Sequence, residues 1–145
     1  HDQNFHIACD VIHFAPHTTS NMTVKGILND RAKTLYRGLI KIMPDAKTSN
    51  GYQKEDTLLL TDACEVDPVP SLEILNNDVK CGHGSTTTYI DKEKLFYLMS
   101  RGIDEKTGMK QAIQGFVEGV VRELPSQELQ EKIRAEISEQ LEIKL

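Results

Sequence analysis

The pattern of the chain changes once, near residues 89–91, and that change sets what it can fold into. Ahead of it, runs rich in Val, Ile, Thr and Tyr at residues 5–14, 22–28, 34–43, 57–60, 71–75, 79–82 and 86–90 predict seven short strands. Turn-forming residues separate them: Asn29-Asp30, Pro44-Asp45, Ser49-Asn50-Gly51, Asp67-Pro68 and Asn76-Asn77-Asp78. Such a series fits a sandwich, a barrel or a β-solenoid, and strand periodicity does not choose among them. A solenoid should repeat along the chain, yet the only echo is between Thr23-Val24-Lys25-Gly26-Ile27 and Leu35-Tyr36-Arg37-Gly38-Leu39.

Beyond the change the spacing is helical. Asp91 is placed to cap a helix carrying Leu95, Phe96, Leu98 and Met99, which ends at Gly102 after the basic Arg101. From Asp104 to Leu124, Met109, Ala112, Ile113, Phe116, Val117, Val120, Val121 and Leu124 recur at intervals of three and four, a wide apolar stripe. Pro125 closes that helix, and Ser126 with Glu128 opens another whose apolar line is Leu129, Ile133, Ile137 and Leu141. Helices this short need an apolar surface to dock on, whether each other, the β-region or a partner. The expected organisation is a β-rich part at 1–90 and a helical part at 91–145.

Composition narrows the function. A net charge of −5, 27% charged residues and a pI near 5.5, with no basic stripe, speak against a phosphate-backbone partner. No apolar run approaches the ~20 residues of a membrane helix, so no membrane insertion is expected. The chain opens at His1 without an initiator Met or a basic-then-apolar leader, and reads as part of a longer protein. Cys9, Cys64 and Cys81 are odd in number and widely spaced, which fits a reducing, cytoplasmic setting better than a disulfide framework.

The richest polar stretch is Val79-Lys80-Cys81-Gly82-His83-Gly84-Ser85-Thr86-Thr87. On a strand, Cys81 and His83 share a face, where a soft thiolate and an imidazole suit a transition metal or an iron–sulfur species. Two ligands are half of the usual four, so any metal there needs the rest from another strand or another chain. Gly82 and Gly84 leave room beside His83 for another backbone. A cysteine hydrolase is the weaker reading, since same-face neighbours supply neither an oxyanion hole nor an orienting third group. His13 and His17 stand four apart, but Pro16 and the extended run before it exclude a helical zinc pair, and residues 16–21 read as a polar turn. Asp62, Glu65 and Asp67 match no calcium loop and read as a solvated loop.

These motifs carry a resemblance. Tyr36-Arg37-Gly38-Leu39, Asp67-x-x-Pro70-x-Leu72-Glu73-Ile74, Asp78 through Thr86, and Leu95-Phe96-Tyr97-Leu98-x-Ser100-Arg101-Gly102-Ile103 follow one another as in the C-terminal region of SufB/SufD proteins, over roughly residues 11–125. The resemblance implies a right-handed parallel β-helix followed by a helical module, with no enzymatic activity of its own. It further implies a scaffold on which a transient iron–sulfur cluster is built, held with SufC, an ABC-type ATPase, and with a SufB paralogue or a second copy. SufC would dock on the helices, through Phe96, Tyr97, Arg101, Gly102 and Phe116. Cluster assembly would involve His83 and, secondarily, Cys81.

Two departures point to the SufD branch. SufB-type chains carry a cysteine where Ile74 stands here, and a Glu directly after the histidine, where this chain has Gly84. The missing groups would come from the partner. A rival reading keeps the fold but makes the chain a structural subunit that lends no ligand, with His83 buried and bonded within its own chain.

Overall fold

The computed structural model describes residues 2–144, with side chains to 141. The chain divides into two compact units, residues 1–88 and 89–145.

The first unit contains six strands of ten residues each, β1 (Asn4–His13), β2 (Thr19–Leu28), β3 (Lys33–Ile42), β4 (Asn50–Leu59), β5 (Glu65–Ile74) and β6 (Lys80–Tyr89). They form two parallel sheets in the orders β1-β3-β5 and β2-β4-β6. Asn4 lies beside Lys33, Thr19 beside Asn50 and Lys33 beside Glu65, so one coil takes about 30 residues. Strands alternating between two sheets with a constant advance per coil make a β-helix, and the sandwich and barrel alternatives fall away. The repeat lies in backbone register; the Thr23 and Leu35 segments sit on β2 and β3, in different sheets, and are not rungs of one ladder.

Six strands replace the seven expected. Residues 79–82 and 86–90 belong to one strand that runs straight through Gly82 and Gly84. The runs at 57–60 and 71–75 are only the C-terminal halves of β4 and β5. Glu65 and Asp67 are on β5 and not in a loop, and Glu65 takes a hydrogen bond from Lys33, its neighbour in register, at 2.7 Å.

The interior explains both misreadings. One apolar cluster joins Leu28, Ala32, Leu59 and Cys64 with Val66 at one corner; another joins Ile40, Ile42 and Ala46 with Met22, Leu72, Val79 and Cys81. Between them the lumen is polar: Tyr36, Gln53, Glu55 and Thr57 are all 2% exposed or less. Gln53 spans the lumen, its amide donating to Ser71 O at 3.0 Å, and a Cβ on Gly38 would overlap its Oε1 and come within 2.5 Å of Tyr36 Oη. Burial, reinforced by nearby Cys9 and Glu55, pushes the Tyr36 phenol above its ordinary value.

Hydroxyls and tight turns hold the corners. His13 is buried, with Nδ1 2.6 Å from Thr18 Oγ1 and Nε2 2.8 Å from Ser20 Oγ. His17 is exposed at the corner, so the two histidines serve different surroundings. His17 and Thr48 occupy equivalent corners of successive coils with φ of 60° and 54°. Thr48 is β-branched and strained there, and it is fixed by its N–H donating to Asp78 O at 2.6 Å and by its hydroxyl against His17 Nδ1.

The second unit contains α1 (Lys92–Ser100), α2 (Glu105–Val121) and α3 (Gln127–Lys144). Asp91 caps α1 by accepting from the Glu93 and Lys94 amides, and Asp104 caps α2 by accepting from Thr107. Ahead of Pro125, the Glu123 and Leu124 amides bond three residues back, tightening the last turn of α2. The α2 stripe is narrower than expected: Gly108, Ile113 and Val121 are buried, while Ala112 is exposed. Gly108 lets α1 approach, because a Cβ there would meet Leu95 Cδ1 at 2.8 Å. Glu118 of α2 receives Arg134 of α3 at 2.8 and 3.1 Å, and Arg122 at 2.9 Å. Those hydrogen bonds, Arg134 first, hold the Glu118 carboxyl down to about 2.

Candidate functional site

Strand β6 ends its sheet, and it carries Cys81 and His83 at alternate positions. Its N-terminus is tied to β4, with the Lys80 amide donating to Ser49 O at 3.0 Å. Backbone groups of successive strand residues point to opposite neighbours, so Lys80, Gly82 and Gly84 face β4. Cys81, His83, Ser85 and Thr87 turn theirs to the open edge. No proline or charged side chain follows Lys80 on this strand.

Strand β5, which ends the other sheet on the same C-terminal side, differs. On β5 the Glu65 amide donates to Ala32 O at 3.1 Å and the Leu75 amide, just past the strand, to Ile42 O at 2.9 Å, so the odd-numbered residues face β3. Pro68 and Pro70 therefore stand on the open edge and delete its donors. The open edge of β5 is thus interrupted for strand pairing, while that of β6 keeps its donors.

The two candidate ligands are held differently. Cys81 is half-buried, its Sγ lying in the space left by Gly51 and its body packed on the Ile40 cluster. His83 is exposed and makes no hydrogen bond to another described residue. Within the chain, Gly82 and Gly84 accommodate a side chain: the Tyr52 ring lies 3.4 Å from where a Cβ on Gly82 would be, and its hydroxyl 3.3 Å from that on Gly84. From the lumen, Ser85 donates to Glu55 Oε2 at 2.8 Å. Sequence reasoning did not connect Tyr52 or Glu55 with the site. The signal was a separation of about one coil, legible only once the coil length is known.

Among the described residues no group of three or more His, Cys, Asp and Glu is arranged to hold a metal ion. Cys81 and His83 supply a thiol and an imidazole on one strand and leave at least half of a four-ligand set to come from elsewhere.

The helical residues singled out for docking fall mostly on one exposed segment. Phe96 is 72% and Tyr97 55% exposed, and Arg101 donates to Tyr97 Oη at 2.8 Å with its guanidinium 5.3 Å from the ring centroid. Gly102, at φ 87°, turns the chain out of α1. Phe116 is on α2 and half-buried. No helix among the described residues is long and apolar enough to cross a membrane.

Comparison with known proteins places this arrangement. Residues 1–116 match the SufBD core domain of the SUF system for FeS cluster assembly. An iron–sulfur cluster assembly SufBD family protein of Mycobacterium tuberculosis is 36% identical over 124 residues, covering 86% of this chain and 15% of the relative. A SufBD family protein of Staphylococcus saprophyticus is 36% identical over 115 residues, 79% of this chain and 25% of the relative. The chain thus spans a quarter or less of these relatives' length, and the match takes in every strand together with α1 and most of α2. This chain belongs to the SufBD family of iron–sulfur cluster assembly proteins.

Proposed function

We propose that the chain is part of a SufD-type scaffold subunit, not an enzyme, working in the cytoplasm, and that it lends His83 to a transient iron–sulfur cluster completed by a partner. The exposed His83, on a terminal strand whose edge still carries its donors and acceptors, is the observation that supports this most. An imidazole with no other hydrogen-bond partner is available to iron, and a strand edge that can pair brings a second chain's ligands beside it. Cys81 is the second candidate. Its thiol packs on Ile40 in this state and would reach a cluster only after β6 shifts.

The partner on β6 is a SufB paralogue or a second copy. SufC, the ABC-type ATPase, docks on the helical unit through Phe96, Tyr97, Arg101, Gly102 and Phe116, where aromatic surface stands exposed beside a cation. ATP-driven movement of SufC would then open or close a site shared between two subunits. Ile74 and Gly84, in place of the cysteine and Glu of SufB-type chains, support the SufD assignment.

A second reading, a purely structural subunit, draws on the packing of Cys81. The His83→Ala variant separates the two. In the assembled complex it should reduce anaerobic cluster formation at least tenfold while subunit association is kept; undiminished cluster formation would leave the structural reading.

A further inference from the structure

His83 lies between two glycines, the residues that restrain a backbone least, on a strand with only one neighbour. A ligand so placed is defined in space only if something outside those residues fixes the strand. Strand β4 does so from both faces. On the outer face the Tyr52 ring covers Gly82 and Gly84. On the lumenal face Glu55, 2% exposed, accepts the Ser85 hydroxyl at 2.8 Å, and its other oxygen is held by Thr57 Oγ1.

Tyr52 lies against the residues before and after His83, and Glu55 holds the next residue on the imidazole's own face. Ser85 is the next residue after His83 on the lumenal face, about 7 Å further along a strand. Glu55 makes its contact with this strand through Ser85 and not through His83, and its place in the site is indirect. Its cost is also informative. A buried carboxylate held by two hydroxyls, with no basic group donating to it among the described hydrogen bonds, is a destabilising choice for a core where an apolar residue would fill the space.

We infer that Tyr52 and Glu55 are positioning residues for the metal-binding strand, clamping β6 from its two faces so that the His83 imidazole is presented in one place. The inference rests on the reading of His83 as a ligand and goes beyond it by naming what orients that ligand. Tyr52 acts through its ring and Glu55 through its acceptor oxygen, so the conservative replacement at each position should preserve the function.

The test uses Co²⁺ as a spectroscopic probe of the site in the assembled complex, where the partner supplies the remaining ligands, with thermal unfolding followed in parallel. Tyr52→Ala and Glu55→Leu should each weaken Co²⁺ binding about tenfold, and Tyr52→Phe and Glu55→Gln should restore it to within about twofold. Glu55→Leu should do so even if it raises the melting temperature, which separates positioning from stability. Unchanged Co²⁺ affinity in both disruptive variants would overturn the inference, and so would a Glu55→Gln variant as impaired as Glu55→Leu. His83→Ala serves as the reference: if it leaves Co²⁺ binding intact, the ligand assignment itself fails, whereas loss in His83→Ala with no effect at Tyr52 and Glu55 overturns only the clamp.

Discussion

Gly38 shows how tightly single residues are constrained inside this coil. The space its missing side chain leaves is occupied by Gln53 Oε1 and Tyr36 Oη, two oxygens buried in the polar layer between the apolar clusters. Gln53 Oε1 has no hydrogen-bond partner there, but its amide is held by Nε2 donating to Ser71 O at 3.0 Å, so moving the oxygen strains that bond. A Gly38→Ala substitution forces one of the two aside, and overpacking of this kind costs about 1–3 kcal/mol. Chemical denaturation should show that loss, while Gly115→Ala, with open space around it, should be neutral or stabilising. At the same scale the candidate site was half legible. Cys81 and His83 stand two apart within one motif and were visible as a pair. Tyr52 and Glu55 belong to the site by a ladder contact between coils, which no local pattern announces.

At the scale of the element, strand periodicity was readable where the lumen is apolar and hidden where it is not. β3 places Tyr36, Ile40 and Ile42 inward and reads plainly, whereas β4 points Gln53, Glu55 and Thr57 inward and looks like a loop until its fold is known. Pro68 and Pro70 disguise β5 in the same way, and their missing donors turn out to face the open edge, where a strand tolerates them. The helices were clearer, because Asp91 and Asp104 mark their starts by side-chain chemistry that acts within one turn. Packing between α2 and α3 gives a pH-dependent prediction. Glu118 has its carboxyl lowered from 4.5 to about 2 by Arg134 and Arg122. A group lowered in the folded state contributes stability above its unfolded value and loses it as pH falls through the folded value. Glu118→Gln should therefore melt below the unsubstituted protein at pH 7, with the difference shrinking between about pH 4.5 and pH 2. A gap that stays constant over that range would show that the carboxylate charge is not the source.

At the scale of the whole molecule, the two units suit different kinds of contact. Of the two strands that end the coil on its C-terminal side, β5 has an edge interrupted by Pro68 and Pro70 and β6 has one that keeps its donors, which favours pairing there on the sheet that carries His83. The helical unit exposes Phe96 and Tyr97, large aromatic surface that contributes little to its own core. Phe96→Ala should leave the melting temperature nearly unchanged and weaken SufC association at least tenfold, measured by calorimetry on purified components; unaltered SufC affinity would move the docking surface elsewhere. Under the proposed function, pairing on one unit and docking on the other would let a nucleotide-driven movement of one partner act on a site completed by the other. The most direct test is hyperfine spectroscopy of the reduced cluster in a complex where only this subunit carries ¹⁵N-histidine. A ¹⁵N coupling to the cluster that disappears in His83→Ala is expected, and a cluster formed in full without any coupling from the labelled subunit would contradict the shared site.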